Sequence, residues 1–356
     1  MKKFLFLFFC LGSLQVLAQN MVVVNNTPGV TANYKTLQGA VDSVTDGTII
    51  LLQPGPTSYG DVTIKKRVSI IGAGYFLNHN PDPASQATQQ SSVVTRIFFD
   101  TASNGSYITG LSITAPINSG TNYRLNFNFT SNVTISRCLI LNWGGYVYAT
   151  RSSSITVKQC YFNGGGNNAT IAFTSVATGI EFLNNIFSID QANSHILPTE
   201  SFTNYTASFL FKNNVMFNVS NPGYYPSLVT LTNNVIFQTN GSGTINCAAA
   251  MNNAGDATYS SGGPNITNAV LANTLVLNSD PTITSADGRY KLKPGSVAIG
   301  YGQGGVDCGA FGGSASEKYE LSGIAEFVPN IFYLNVPVVG GSTGGLPVHI
   351  KVRANQ

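Results

Sequence analysis

NVTISRCLIL (132–141), SITVKQCYFN (154–163), GIEFLNNIF (179–187), SFLFKNNVMF (208–217) and LVTLTNNVIF (228–237) are five copies of one phrase. Aligned on Cys138, Cys160, Asn185, Asn214 and Asn234, the positions three and five residues earlier are apolar in every copy. The first set is Ile135, Val157, Phe182, Phe211 and Leu231, and the second is Val133, Ile155, Ile180, Phe209 and Val229. The positions between and beside them are mostly polar, so each copy has a period of two and reads as a strand with one buried face. Recurrence at spacings of 22, 25, 29 and 20 residues means one coil of chain per copy, stacked on the last.

Working outward, the 356 residues suit one elongated stacked unit as well as two ordinary domains. Charged residues make up only 9% of the chain while 43% are apolar, which describes a β-rich chain with a neutral, hydroxylated surface rather than a disordered one. The net charge is +3, and no basic cluster exceeds Lys65, Lys66 and Arg67. Nucleic acid and anionic membrane are therefore not expected partners.

Residues 1–19 carry Lys2 and Lys3, the apolar run FLFLFFCLG, then Val16, Leu17 and Ala18. This is the form of a cleaved secretory signal, so the expected location is secreted or at the cell surface. No later stretch reaches the roughly 18 apolar residues of a membrane span. Export permits disulfides, and Cys138 and Cys160 fall in the same slot of adjacent coils. Stacked side chains there point in parallel, which favours buried thiols over a bridge. No paired Cys or His spacing suggests a metal site.

After an opening MVVV strand, Tyr34 to Val44 places Leu37, Ala40, Val41 and Val44 at helical spacing, and short strands follow. One amphipathic helix at that point covers the open apolar end of the first coil. The run YKTLQGAVDSVTDGTIILLQPGPTSYGDVTIKKRVSIIGAG is similar to the N-terminal cap and first coil of right-handed parallel β-helix proteins of the pectate lyase-like superfamily. PGSVAIGYGQGGVDCGAFGG (294–313) resembles the segment closing the helix in secreted Bacteroidetes-type members. With the repeats, the resemblance spans roughly Tyr34 to Gly313. It implies an all-β, right-handed parallel β-helix of nine to ten coils over residues 20–313, with an N-terminal capping helix.

Within that frame, LNHNPDPASQATQQSS (77–92) reads as a projecting loop, and SYITGLSITAP repeats the phrase with Gly110 in the anchor slot. Residues 314–356 form a C-terminal extension: a charged link, then NIFYLNVP and LPVHIKVRAN as a β-hairpin. That hairpin either caps the last coil or offers an edge to a partner.

Asn185, Asn214 and Asn234 make a column, with Asn184, Asn213 and Asn233 beside it. Stacked amides bond along the axis, and Asn tolerates a left-handed corner, so these residues are assigned to the fold. Chemistry is sought at outward positions. Lys158, Glu181 and Lys212 are the catalytic candidates: Lys158 and Lys212 share a column two coils apart, ~10 Å, with Glu181 between and displaced. Trp143, Tyr146 and Tyr148 of NWGGYVYATR, with Arg137 and Arg151, form a candidate carbohydrate platform, because sugar CH faces stack on aromatic rings. His195, in QANSHILPTE, has Asp190 and Glu200 as sequence neighbours for a base.

The resemblance leaves activity open, since the superfamily includes lyases, hydrolases, esterases, tailspikes and adhesins. No aspartate pair of the polygalacturonase kind follows a strand, and the Asp pair with Arg of pectin methylesterases is missing. Three functions are expected from this reading. The first is a secreted protein binding extracellular or cell-wall polysaccharide, with no cofactor. The second is a polysaccharide lyase or related glycoside hydrolase acting on a uronate glycan, the one case that calls for Ca²⁺. The third is a structural or adhesive rod.

Overall fold

A computed structural model of the chain describes residues 20–78, 90–114, 123–141, 145–164, 171–189, 196, 206–217, 228–238, 243–283, 285–325, 329–336 and 346–354. The strands stack in parallel along one axis as a parallel β-helix with three faces. Ten strands, from Met21–Val24 to Ala249–Met251, build the first face. Eight, from Ser92–Val94 to Ala254–Gly255, build the second. The third face consists of Asp61–Ile64, Arg96–Phe99, Tyr123–Asn128 and the opening halves of Gly145–Lys158 and Ile171–Leu183, two strands that bend from the third face onto the first.

The repeated phrase is one traverse of the first face, a corner, and entry to the second face. Val133, Ile135 and their equivalents point inward and are buried to within 2%. Rings stack between coils, Phe182 on Phe211 at 4.7 Å and Phe162 on Phe187 at 4.5 Å. The corner needs one residue at positive φ: Arg137, Gln159, Asn184, Asn213, Asn233 and Asn252 all lie between +50° and +57°. The next residue turns its amide inward. Asn185, Asn214 and Asn234 bond rung to rung at 2.8–3.1 Å, and the ladder continues through Asn253 to Asn265. Toward the N-terminus the rungs become free thiols, Cys160 accepting from the Cys138 N–H at 3.4 Å. Burial raises the Cys160 thiol well above its ordinary value. Gly110 occupies the positive-φ slot, paired in the stack with Arg137, and Leu111 takes the rung position. The sequence reading of Gly110 as the anchor is corrected by one residue.

The helix Leu37–Ser43 caps the rod and buries Leu37, Ala40 and Val41, with Thr36 as its N-cap. It also protects an edge. Gln38 donates to the Thr63 carbonyl at 3.1 Å and accepts from the Thr63 N–H at 2.8 Å, so one side-chain amide replaces a neighbouring strand.

The second face is apolar on both sides. Its inner column, with Ile140, Phe162, Phe187, Met216 and Ile236, belongs to the rod core. Its outer column, Leu139, Tyr161, Ile186, Val215 and Val235, belongs to a second core formed with Leu275, Tyr290, Ala298, Cys308, Ala310 and Tyr319. The chain after the last coil therefore folds back over this face. It then returns toward the N-terminus along the corner, and five of the six corner side chains, all but Asn213, bond it. Asn252 donates to the Tyr301 carbonyl, Asn233 accepts from the Gln303 N–H, and Asn184 donates to the carbonyls of Ala310 and Gly312. Gln159 donates to the Lys318 carbonyl at 2.6 Å, and Arg137 to the Ile324 carbonyl at 2.8 Å. Tyr75 N–H closes the run on Ser322.

A buried clasp fastens the far end of this strap. The Tyr75 and Tyr319 hydroxyls are 2.5 Å apart, and Tyr319 donates to Asp287, which also accepts from the Gly288 and Ser322 N–H groups. Burial raises the Asp287 carboxyl above its ordinary value despite these donors. A carboxyl whose folded value lies above its unfolded one holds more protons when folded. Its contribution to stability is therefore greatest below the ordinary carboxylate value and is lost as pH rises through the raised one. Urea midpoints measured in steps from neutral pH down to the ordinary carboxylate range should rise with acidification, and Asp287→Asn should remove that part of the slope. An unchanged slope in the variant would assign it to other groups.

The strands Pro329–Asn335 and His349–Ala354 pair antiparallel as the expected hairpin, forming a separate two-stranded sheet.

Candidate functional site

Among the described residues the helix cap and the strap leave two outward surfaces. On the third face, alternation points Val62, Ile97, Leu125, Phe127, Val147 and Ala149 into the core. The opposite phase places Thr63, Phe98, Asn126 and Tyr148 in one outward column, paired in register. Tyr123 lies directly beside this column. Its ring covers Gly145, where an added Cβ would come within 2.2 Å of it. The ring stacks on Tyr148 with centroids 5.3 Å apart and planes 29° apart. The Tyr148 hydroxyl meets Thr174 Oγ1 at 2.9 Å, and Asn126 Nδ2 donates to the Tyr123 carbonyl at 2.9 Å.

Part of the charge on this face is paired. Arg96 forms a forked pair with Asp61, its Nε lying 3.0 and 3.1 Å from the two carboxylate oxygens, and its guanidinium lies over the Phe98 ring at 5.5 Å. At the following corner, exposed Arg151 lies 5.1 Å over the ring of Phe129 in the preceding coil. The result is a row of half-buried rings flanked by amides and hydroxyls on a rigid sheet.

The first face carries the charged column. Lys158 pairs with Leu183 and Leu183 with Lys212, so the two lysines stand in one outward column two rises apart. Glu181 lies in the adjoining column, between Thr156 and Leu210. The strap edges this column: Lys212 helps to hold the Glu317 carboxyl below its ordinary value, although hydrogen bonds from Ser314 are the larger cause.

The site residues named from sequence therefore fall in different places. Lys158, Glu181 and Lys212 share the first face, while Tyr148 and Arg151 belong to the third face and its corner. Two others turn inward, which corrects their assignment to a sugar platform. Arg137 is 2% exposed, with its guanidinium on Gln159 and Ile324. Tyr146 is 1% exposed and packs edge-on against Phe162. Both lie where the fold, rather than solvent, uses them. Trp143, His195, Asp190, Glu200 and most of the 77–92 loop lie outside the described residues. Among the described residues no three His, Cys, Asp or Glu side chains come together as a metal site. No described helix is long and apolar enough to cross a membrane.

Phe98, Tyr123 and Asn126 were not singled out from sequence. The signal for Phe98 and Asn126 was present in RIFF and YRLNFN: setting Ile97, Leu125 and Phe127 inward turns these two outward. Tyr123 shares the phase of Leu125 and Phe127, so alternation does not give its place against Tyr148.

No family model matches the chain, and no curated protein sequence matches it. Among solved structures it is similar to a pectin methylesterase from carrot, with 12% identity and a TM-score of 0.40. That alignment covers 78% of this chain and 95% of the other. A likeness of this size carries no activity across.

Proposed function

We propose that this chain is an exported glycan-binding β-helix whose platform is the third face. The half-buried Tyr123–Tyr148 ring pair, stacked on a rigid sheet, carries the reading. Stacked rings offer apolar area to the CH face of a sugar at low entropic cost, and Asn126 and Thr174 stand beside them to meet hydroxyls. The leader-like residues 1–19 support the exported part of this reading.

Affinity electrophoresis or calorimetry against a panel of soluble polysaccharides tests this. Tyr148→Ala and Tyr123→Ala are each expected to weaken binding about tenfold, or ~1.4 kcal/mol. Gly145→Ala should do the same with every ring retained, because its methyl group displaces the Tyr123 ring. Unchanged affinity in all three variants would remove the platform.

One observation favours a second reading, a polysaccharide lyase on the first face. Lys158 and Lys212 stand in one outward column with backbones ~10 Å apart, offering two cations to the carboxylates of a polyuronate. The same panel, followed in the ultraviolet for an unsaturated product, decides it. Lack of product from every uronate glycan eliminates this reading.

A further inference from the structure

We propose that the third-face platform takes an extended glycan of equatorially linked sugars, lying along the rod axis with alternate sugars seated on Phe98 and on the Tyr123–Tyr148 pair. This rests on the platform reading above and adds to it a ligand class and a direction.

The placing of the rings carries it. Phe98 pairs with Asn126 and Asn126 with Tyr148, so ring, amide and ring follow one another in one outward column. Parallel strands lie ~4.8 Å apart, which sets the two ring-bearing strands ~10 Å apart with the amide between them. All three side chains are half-buried, as is Tyr123. Arg96, forked on Asp61, lies 5.5 Å from the centre of the Phe98 ring and steadies it.

Along the strands of Phe98 and Tyr148 no second outward ring follows. Two residues on stand Asp100 and Thr150, and two residues back stand Arg96 and Tyr146, the last of them 1% exposed. A ligand that meets both ring seats therefore crosses the strands and runs with the rod. A polar row borders this path: Asn128 pairs with Thr150 and Thr150 with Thr174, two residues along each strand from Asn126, Tyr148 and Ala172. Asn126 Nδ2 is committed to the Tyr123 carbonyl, which leaves its oxygen to accept from a sugar hydroxyl.

Sugar chemistry fits this pattern. In an equatorially linked chain each unit is turned over relative to the last, so the chain is a flat ribbon and units two apart present the same apolar CH face. A pyranose unit with its bridging oxygen is about as long as one strand spacing, so units two apart reach rings two strands apart. Axial linkages bend the chain into a helix and carry successive CH faces away from a flat sheet. Once one sugar is seated, the ribbon delivers the next at high effective concentration, so two weak seats act together.

Calorimetry on the full chain with oligosaccharides of increasing length tests the proposal. Equatorially linked cello-, manno-, xylo- and chito-oligosaccharides are compared with axially linked malto-oligosaccharides. Affinity for at least one equatorial series should rise at least tenfold from the disaccharide to the tetrasaccharide, with no such step in the malto series. Phe98→Ala should abolish the step and leave disaccharide binding unchanged, which also reports an intact fold, whereas Tyr148→Ala should weaken both lengths. A step that survives Phe98→Ala, an equal step in the malto series, or binding confined to axially linked chains would overturn the inference while the platform stood. Binding of no glycan at any length would remove the platform and this inference with it.

Discussion

Replacing Asn214 with alanine is expected to cost the rod about 3 kcal/mol or more, read as a lower urea midpoint. The side chain is fully buried and serves two neighbouring rungs. Its oxygen accepts from both the N–H and the side-chain amide of Asn185, while its own amide donates to Phe182 O at 2.8 Å and Asn234 Oδ1 at 3.0 Å. Alanine leaves several of these groups without their partner in a dry interior, at roughly 1–3 kcal/mol for each group stranded. The losses do not simply add, because the rungs form one network. Thr230→Ala, on the outward phase of the next coil, should stay within about 0.5 kcal/mol. Equal effects from the two would mean that the ladder is decorative.

Arg137→Ala is the second large effect, expected at roughly 2–4 kcal/mol, because it strips a charged donor from two buried neutral acceptors at about 1–3 kcal/mol each. The guanidinium bonds Gln159 at 2.9 Å, and Gln159 in turn grips the strap at Glu317 and Lys318. Removing it leaves the Gln159 oxygen and the Ile324 carbonyl without this donor and opens a hole beneath the strap. Proteolysis and amide exchange should therefore rise first in residues 314–325, ahead of the coils. Arg137→Lys should not restore protection, because one ammonium lacks the planar fork that reaches both acceptors. Lost glycan binding at unchanged stability would instead return Arg137 to a surface role.

Much of the coil was legible because a strand's period is fixed. Ile135, Phe182 and Leu231 could be set inward, Lys158 and Lys212 placed in one column, and the asparagines assigned to the fold, from spacing alone. The second covered face had a signal that period-two reading passes over. LIL, YF, VMF and VIF are unbroken apolar runs, the mark of strands buried on both sides. Such runs announce that something lies over them without saying what. Arg137 was misplaced for a related reason: a charged residue at a corner looks solvent-facing until another part of the chain lies across it.

By itself, then, the sequence determined what repeats. Each coil carries its own alternation, its left-handed corner and its rung, and these are local properties set by backbone geometry. Tertiary structure alone decided what meets across long separations. Residues 298–325 return along the corner to bury Arg137 and Gln159, and Tyr123 comes to rest on Gly145 and Tyr148 one coil away. Those contacts join residues up to 187 positions apart, and no local period encodes them. The outward side of the third face, where the proposed function sits, is what that folding leaves uncovered among the described residues.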